Sequence, residues 1–385
     1  MILKNGLVLT FQEGLQVDSW FHIIPWKWDN FNGKFIIENK SPSKLWRMTA
    51  FAFFCVTGSL MLLSCLLNNS LFDIAQRSQM LVTATLLLFC ATICWILYTD
   101  HVSFIAVLNG LLNMERDIVQ DRNMSPEDFR TKIIKWIAKI VLISGKPYAA
   151  LVSVCTGLDP KFPLNTFKVY SSNVEVLDFH GFGLLYRMLT MLGNLIIWHI
   201  LSICGIFICL EMLITMEAAR VFQLYLLNYT RFSRSTKIWL KIKHFHDRLR
   251  LMIQIFNGIH SHRIVVLLLI LLSVGQVSSL YCLIRCLELP LPMLTTLVLI
   301  VFDSGITIIF VFGCAGELNG TSQLVTAALK RQGSMVKSML VSKTMTGIAD
   351  LRIGFGSVNF IERTTPLQYL NFNALRIVDL LLFTR

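Results

Sequence analysis

The sequence predicts an all-α polytopic membrane protein of seven transmembrane helices, with a cytoplasmic N-terminus and an extracellular C-terminus. Three observations predict it: a shortage of charge, apolar runs of bilayer length, and a one-sided distribution of lysine and arginine. Of 385 residues, 55% are hydrophobic and only 15% are charged, against about 25% charged in soluble domains. Mean hydropathy is +0.63. A surface so poor in charge is suited to lipid rather than water.

A helix needs about 20 mostly apolar residues to cross a bilayer. Seven runs qualify: Met48 to Leu67, Met80 to Tyr98, Trp136 to Thr156, Met188 to Ile214, Ile264 to Ile284, Pro292 to Cys314 and Pro366 to Phe383. Lys146 and Pro147 interrupt the third, the fourth is the longest, and the seventh is the least apolar. The residues from Met1 to Asp29 lack a continuous apolar core, so no cleavable signal peptide is expected. The first span is then its own insertion signal.

Cytoplasmic loops carry the excess of lysine and arginine. With the N-terminus inside, 26 such residues fall on the cytoplasmic side and 6 on the other. The net charge of +12 is therefore a topology signal, and no nucleic-acid partner is expected. Of the sequons at Asn39, Asn68, Asn123, Asn228 and Asn319, only Asn68 then faces outward. Between the fourth and fifth spans, Trp239, Leu240, Ile242, Phe245, Leu249, Met252 and Ile253 recur near helical spacing among basic residues. This predicts a helix that begins below the membrane and runs straight into the fifth span, with only Gly258 at the join. A basic amphipathic helix lying on anionic lipid is the other reading. The longer cytoplasmic connections are expected to form a helical intracellular layer.

The ten cysteines lie almost entirely in apolar runs and form no C-x-x-C pair, so they read as small buried hydrophobes. No H-E-x-x-H, G-x-S-x-G or P-loop sequence occurs. His244 and His246, like His260 and His262, are two apart, a spacing that puts them on different helix faces. No metal site, cofactor or enzymatic activity is expected.

Charge inside a bilayer is costly and tends to be functional. Lys146 beside Pro147 marks either a broken helix lining a cavity or a boundary nearer the interface. Asp303, midway along the sixth span, should face the bundle interior. The last span carries Gln368, Asn371, Asn373, Arg376 and Asp379 in its apolar run. Gln368, Phe372, Leu375, Asp379 and Leu382 share one face by three- and four-residue steps, and Arg376 and Asp379 can pair. Such a helix needs polar company from another subunit, a bundle interior or an aqueous pore.

The run FHDRLRLMIQIFNGIHSHRIVVLLLILLSVGQVSSLY, Phe245 to Tyr281, resembles the helix-five region of arthropod gustatory receptors, which share a superfamily with insect odorant receptors. The segment LRIGFGSVNFIERTTPLQYLNF, Leu351 to Phe372, resembles the approach to their last helix, where Phe360 and Ile361 precede Arg363. Length, span number and orientation fit along the whole chain. The chain departs at its end, LLLFTR, where only Phe383 matches the Thr-Tyr and Gln-Phe pairs of many members.

The resemblance implies a ligand-gated cation channel subunit of the cell membrane that detects a small tastant or odorant, assembled as a homo- or heterotetramer. Residues 1–47 would be a cytoplasmic segment, 48–314 the first six spans with their loops, 315–363 a cytoplasmic anchor and 364–385 the pore helix. Gln368, Phe372, Leu375, Asp379 and Leu382 would line the pore. The ligand would sit among the outer helix ends, where depth and chemistry select Thr83, Tyr148, Ser153, Phe182, Tyr186 and Thr296. A G-protein-coupled receptor would need the reverse orientation, and a secondary transporter often carries an internal repeat, which is not visible here.

Overall fold

The structure is a computed structural model that describes residues 24–37, 41–67, 74–120, 132–134, 136–137, 139–140, 149–155, 182–230, 235–285, 291–336, 338–356 and 359–383. The elements run β1 (Trp26–Asp29), β2 (Lys34–Ile37), α1 (Ser41–Leu67), α2 (Ile74–Thr99), α3 (His101–Gln120), α4 (Phe182–Thr230), α5 (Thr236–Ile259), α6 (Val265–Arg285), α7 (Leu291–Thr307), α8 (Gly313–Ser334), α9 (Met339–Thr346), β3 (Gly354–Phe355), β4 (Asn359–Phe360) and α10 (Thr365–Phe383). One π-helical turn, His260–Ile264, joins α5 to α6, and another, Ile308–Phe312, joins α7 to α8.

Five helical stretches are long and apolar enough to cross a membrane: Lys44–Leu67, Arg77–Thr99, Met188–Tyr229, Thr236–Arg285 and Leu294–Ser334. They contain the first, second, fourth and fifth runs expected from sequence and all but the first two residues of the sixth. The third is described only in part, with 136–137, 139–140 and 149–155 helical and Lys146 and Pro147 outside the described residues. The last run is the 19-residue α10, whose polar residues make it less apolar than those five. Two short antiparallel hairpins, β1–β2 and β3–β4, correct the all-α expectation.

The long helices outrun a bilayer. At 1.5 Å per residue the 49 residues of α4 span about 74 Å, against roughly 30 Å of hydrocarbon. Asp117 meets Arg248, Gly110 faces Met252 and Phe104 meets the His260 ring, so α3 and α5 run antiparallel. Cys90 approaches the Leu201 carbonyl and Phe104 the Phe207 ring, so α2–α3 and α4 run parallel. The extended ends build a layer with its own small core of Leu226, Trp239, Ile242, Val325, Leu329, Val341, Met345 and Ile348.

In that layer α5 buries Trp239, Ile242, His246, Leu249, Ile253 and Phe256 at three- and four-residue steps and packs on α3, α4 and α9. It is a packed helix, not one lying on lipid, although Leu240 points outward. The β1–β2 hairpin docks on α3. Its turn is closed by Asp29, whose carboxylate accepts from the Phe31 and Asn32 amides, and by Gly33 at φ 57°. The Asn109 side chain bonds both the amide and the carbonyl of Phe35.

The chain before α10 is sewn to the π-helical turn. Asn257 accepts from the Gly354 amide at 3.0 Å and donates to the Arg352 carbonyl at 2.8 Å. The Ser261 carbonyl accepts from the Gly356 amide at 2.9 Å. Leu351 donates to Ser322 on α8. A Cβ at Gly316 would stand 2.5 Å from the Glu362 carbonyl oxygen and 2.7 Å from the Arg363 amide, so α8 and this segment touch backbone to backbone.

Two predictions follow from this packing. Gly316→Ala should lower stability by about 1–3 kcal/mol, the usual range for overpacking. Gly258→Ala, with open space at its Cβ, should be neutral or slightly stabilising; unfolding midpoints of the purified protein in detergent check both. His246 lies well before the apolar run that starts at Ile264, and burial pushes its imidazole down to about 4. A lowered histidine contributes stability above its unfolded value near 6.5 and loses it as pH falls toward 4. Wild type should therefore lose on the order of 3 kcal/mol across that window relative to His246→Gln, measured as midpoint against pH.

Candidate functional site

The last helix has two chemically distinct faces. One docks on α6 through a hydrogen-bonded seam. Ser273 Oγ donates to Asn373 Oδ1 at 2.7 Å, and Asn373 Nδ2 donates to Gln276 Oε1 at 2.7 Å. Tyr369 Oη lies 2.5 Å from Ser273 Oγ and donates to the Leu269 carbonyl. Asn373 is 1% exposed, and Leu381 extends the contact into a cluster of Tyr281, Cys282 and Leu297. Each polar group has a partner where water is scarce, as the low dielectric requires. Pro366 in the first turn costs nothing there, and Thr365 Oγ1 accepts from the Glu362 amide at the helix start.

The other face is bare. Gln368, Phe372, Leu375 and Leu382 are exposed and Asp379 is half-exposed; these are the residues that the sequence placed on one stripe. Arg376 pairs with Asp379 at 3.1 Å, and its guanidinium lies 4.9 Å from the centre of the Phe372 ring. The helix is therefore not buried among its own chain's neighbours.

Asp303, expected inward, is exposed on α7, in a stripe with Leu299, Phe302, Ile306 and Ile309, each at least 40% exposed. Polar company for that carboxylate must come from outside the residues that bury its own helix.

At the bundle end away from the β1–β2 hairpin, polar side chains turn inward. Thr83 is fully buried, with its hydroxyl donating to the Gln79 carbonyl at 2.8 Å. Thr190 and Asn194 on α4 are buried as well. Thr296 on α7 is 1% exposed and lies one residue from Leu297, which packs on Tyr281. Ser153 is buried and donates to the Ala149 carbonyl at 2.6 Å. Tyr148 lies outside the described residues. Phe182 and Tyr186 fall in the first turns of α4, but their side chains lie outside the described ones.

Sequence reasoning missed Gln79, Asn194 and Ser279. The Gln79 amide is fully buried with no partner at its oxygen or nitrogen, and the Ser279 hydroxyl is likewise unpartnered. Buried polar groups of this kind accept a ligand's polar atoms. The available signal was a polar residue inside an apolar run, as at Asn194.

Among the described residues no group of three His, Cys, Asp or Glu side chains could hold a metal ion. Cys90 and Cys94 are buried in the core, and Cys286 lies outside the described residues. Glu211 and His260, both 0% exposed, approach to 2.7 Å between α4 and the π-helical turn. The contact lacks the alignment of a hydrogen bond.

No protein-family model matches the chain, and no curated protein matches it in sequence. Solved structures do match in fold. The insect olfactory receptor OR5 from Machilis hrabei in complex with eugenol aligns over 98% of this chain and 99% of its own, at TM-score 0.70 and 11% identity. A second structure of that receptor aligns over 97% and 99%, at TM-score 0.66 and 11% identity. The chain has the insect olfactory receptor fold.

The seam gives a measurable consequence. In a double-mutant cycle, Gln276→Ala and Asn373→Ala should couple by about 0.5–2 kcal/mol, in the range of interhelical hydrogen bonds in membranes. Strictly additive losses would mean that the two amides do not bond.

Proposed function

We propose that this chain is a chemoreceptor subunit of the insect gustatory and odorant receptor superfamily, a ligand-gated cation channel of the cell membrane with taste as its modality. The bare face of α10 is the observation that carries the proposal. A helix of that depth holding Gln368, Asp379 and Arg376 away from its own bundle needs an aqueous or protein neighbour. Four copies arranged about an axis would supply both, with Phe372, Leu375 and Leu382 as apolar rings able to gate by dewetting. Subunits would join through the layer built by α5, α8, α9 and residues 347–364.

Full-length similarity in fold to a receptor solved with eugenol supports a small, largely apolar ligand. Its place in this chain would be the outer bundle end, at Thr83, Ser153 and Thr296 with Gln79, Asn194 and Ser279, and with Tyr148, Phe182 and Tyr186 nearby in sequence. Ligand would drive opening by binding the open state more tightly than the closed one. The charge asymmetry supports a cytosolic N-terminus and helical layer, so a glycan at Asn39 or Asn123 would reverse the topology and end the reading.

Expression in cells, alone and with candidate co-subunits, should yield cation current evoked by members of a tastant and odorant panel. Gln368→Ala or Asp379→Ala should change its ion selectivity or amplitude several-fold. Current that ignores both substitutions would remove α10 from the conduction path.

A further inference from the structure

At the far end of the extramembrane layer, α8 runs out in Lys330-Arg331-Gln332-Gly333-Ser334, with Met335 following. It is one unbroken helix from Gly313. At 1.5 Å per residue, Ser334 therefore stands roughly 30 Å along the axis beyond Cys314, where the sixth apolar run ends. Lys330, Arg331, Ser334 and Met335 are all exposed. From Leu318 to Ala349 the sequence holds Lys330, Arg331, Lys337 and Lys343 and no Asp or Glu. Neither Lys330 nor Arg331 is ion-paired among the described residues.

The Ser334 hydroxyl donates to the Arg331 carbonyl at 2.8 Å. The Met335 and Val336 amides close the helix on the Gln332 and Gly333 carbonyls at 3.1 and 3.3 Å. By Ser338 the backbone is extended, at φ −83° and ψ 114°. Ser334 thus sits on a terminal turn, the part of a helix that opens at least cost. A protein kinase binds its substrate as an extended strand, reads charge along it and sets one hydroxyl at the γ-phosphate of the nucleotide. Arginine three residues before the hydroxyl suits kinase carboxylates upstream, and the exposed Met335 directly after it suits an apolar pocket.

We infer that Ser334 is a phosphorylation site for a serine kinase that selects arginine three residues upstream. Ser334 Oγ would attack the γ-phosphorus of ATP. The new O–P bond forms as the bond to the β-phosphate oxygen breaks, ADP leaves, and the hydroxyl proton passes to the kinase's catalytic carboxylate. Neighbouring hydroxyls fit less well. Ser338, Ser342 and Thr344 have Met335, Met339 and Val341 at that spacing, and Thr346 has Lys343 but is followed by Gly347.

The phosphate would carry about −1.5 to −2 charges among the open carbonyls at the end of α8, where negative charge is unfavourable. The short helix α9 packs on that turn. A Cβ at Gly333 would stand 2.6 Å from Met345 Cβ, and Val341 and Met345 fill the small core of the layer. Phosphorylation would therefore loosen α9, a part of the layer proposed to join subunits. The site itself does not depend on the channel reading; only its access to ATP in the cell rests on the cytosolic placement of the layer.

The test incubates the full chain in nanodiscs with ATP and the catalytic subunit of cyclic-AMP-dependent protein kinase, and locates phosphate by mass spectrometry. Phosphate on Ser334 is expected, and none at that position in Ser334→Ala. Arg331→Gln should lower kcat/KM for the chain as substrate at least about tenfold, the loss typical of one charge-assisted hydrogen bond, whereas Lys343→Gln should leave it unchanged. Hydrogen exchange of 339–346 should rise after phosphorylation, and not in Ser334→Ala carried through the same incubation. No incorporation, phosphate on Thr346 instead, or a rate indifferent to Arg331→Gln overturns the site. Unchanged exchange overturns the loosening of α9.

Discussion

The seam between α6 and α10 governs how the last helix is presented. Hydrocarbon offers no hydrogen-bond partners, so an amide or hydroxyl at membrane depth must find one in the protein. Ser273 donates to Asn373, Asn373 donates to Gln276, and Tyr369 donates to the Leu269 carbonyl, all across a single helix pair. Turning α10 about its axis would strand all four at once, at a cost near the desolvation of each group. That constraint fixes the rotation of the helix, and with it the outward stripe of Gln368, Phe372, Leu375, Asp379 and Leu382.

The same helix is held at its start by a different device. In the π-helical turn at His260–Ile264, the Ser261 carbonyl accepts from Gly356, while Asn257, one turn before, clasps Arg352 and Gly354. Such turns occur often at functional positions in long helices. Here the turn ties the segment that leads into α10 to the rod formed by α5 and α6. Movement of that rod at either end would be felt at both ends of the last helix. The buried Glu211–His260 contact, with His260 stacked on Phe256, braces α4 against the same turn.

Much of this was legible in the residues. Hydropathy located five spans, and the pattern from Trp239 to Ile253 foretold a helix running from an extramembrane layer into the fifth. The periodicity of the last span foretold the Arg376–Asp379 pair, while exposure extends beyond the stripe it drew, to Leu367, Asn371, Ala374, Val378 and Leu380. The hairpin at Trp26–Ile37 was invisible because four-residue strands leave too short an alternation to separate from coil. Asp303 was misjudged because the rule that sends charge inward presumes a complete assembly, whereas a single chain offers only its own surface.

Local chemistry alone determined that these segments are helices, how long their apolar parts are, and which residues can share a face. Those properties depend on neighbours within a few residues along the chain, and the sequence carries them in full. Tertiary structure alone decided which face of α10 meets α6, that Asn373 rather than Asn371 bonds there, and that Gln79 and Asn194 are buried. Those outcomes turn on pairings across about a hundred residues, where many partners of equal chemistry compete and only simultaneous packing of all the helices selects one.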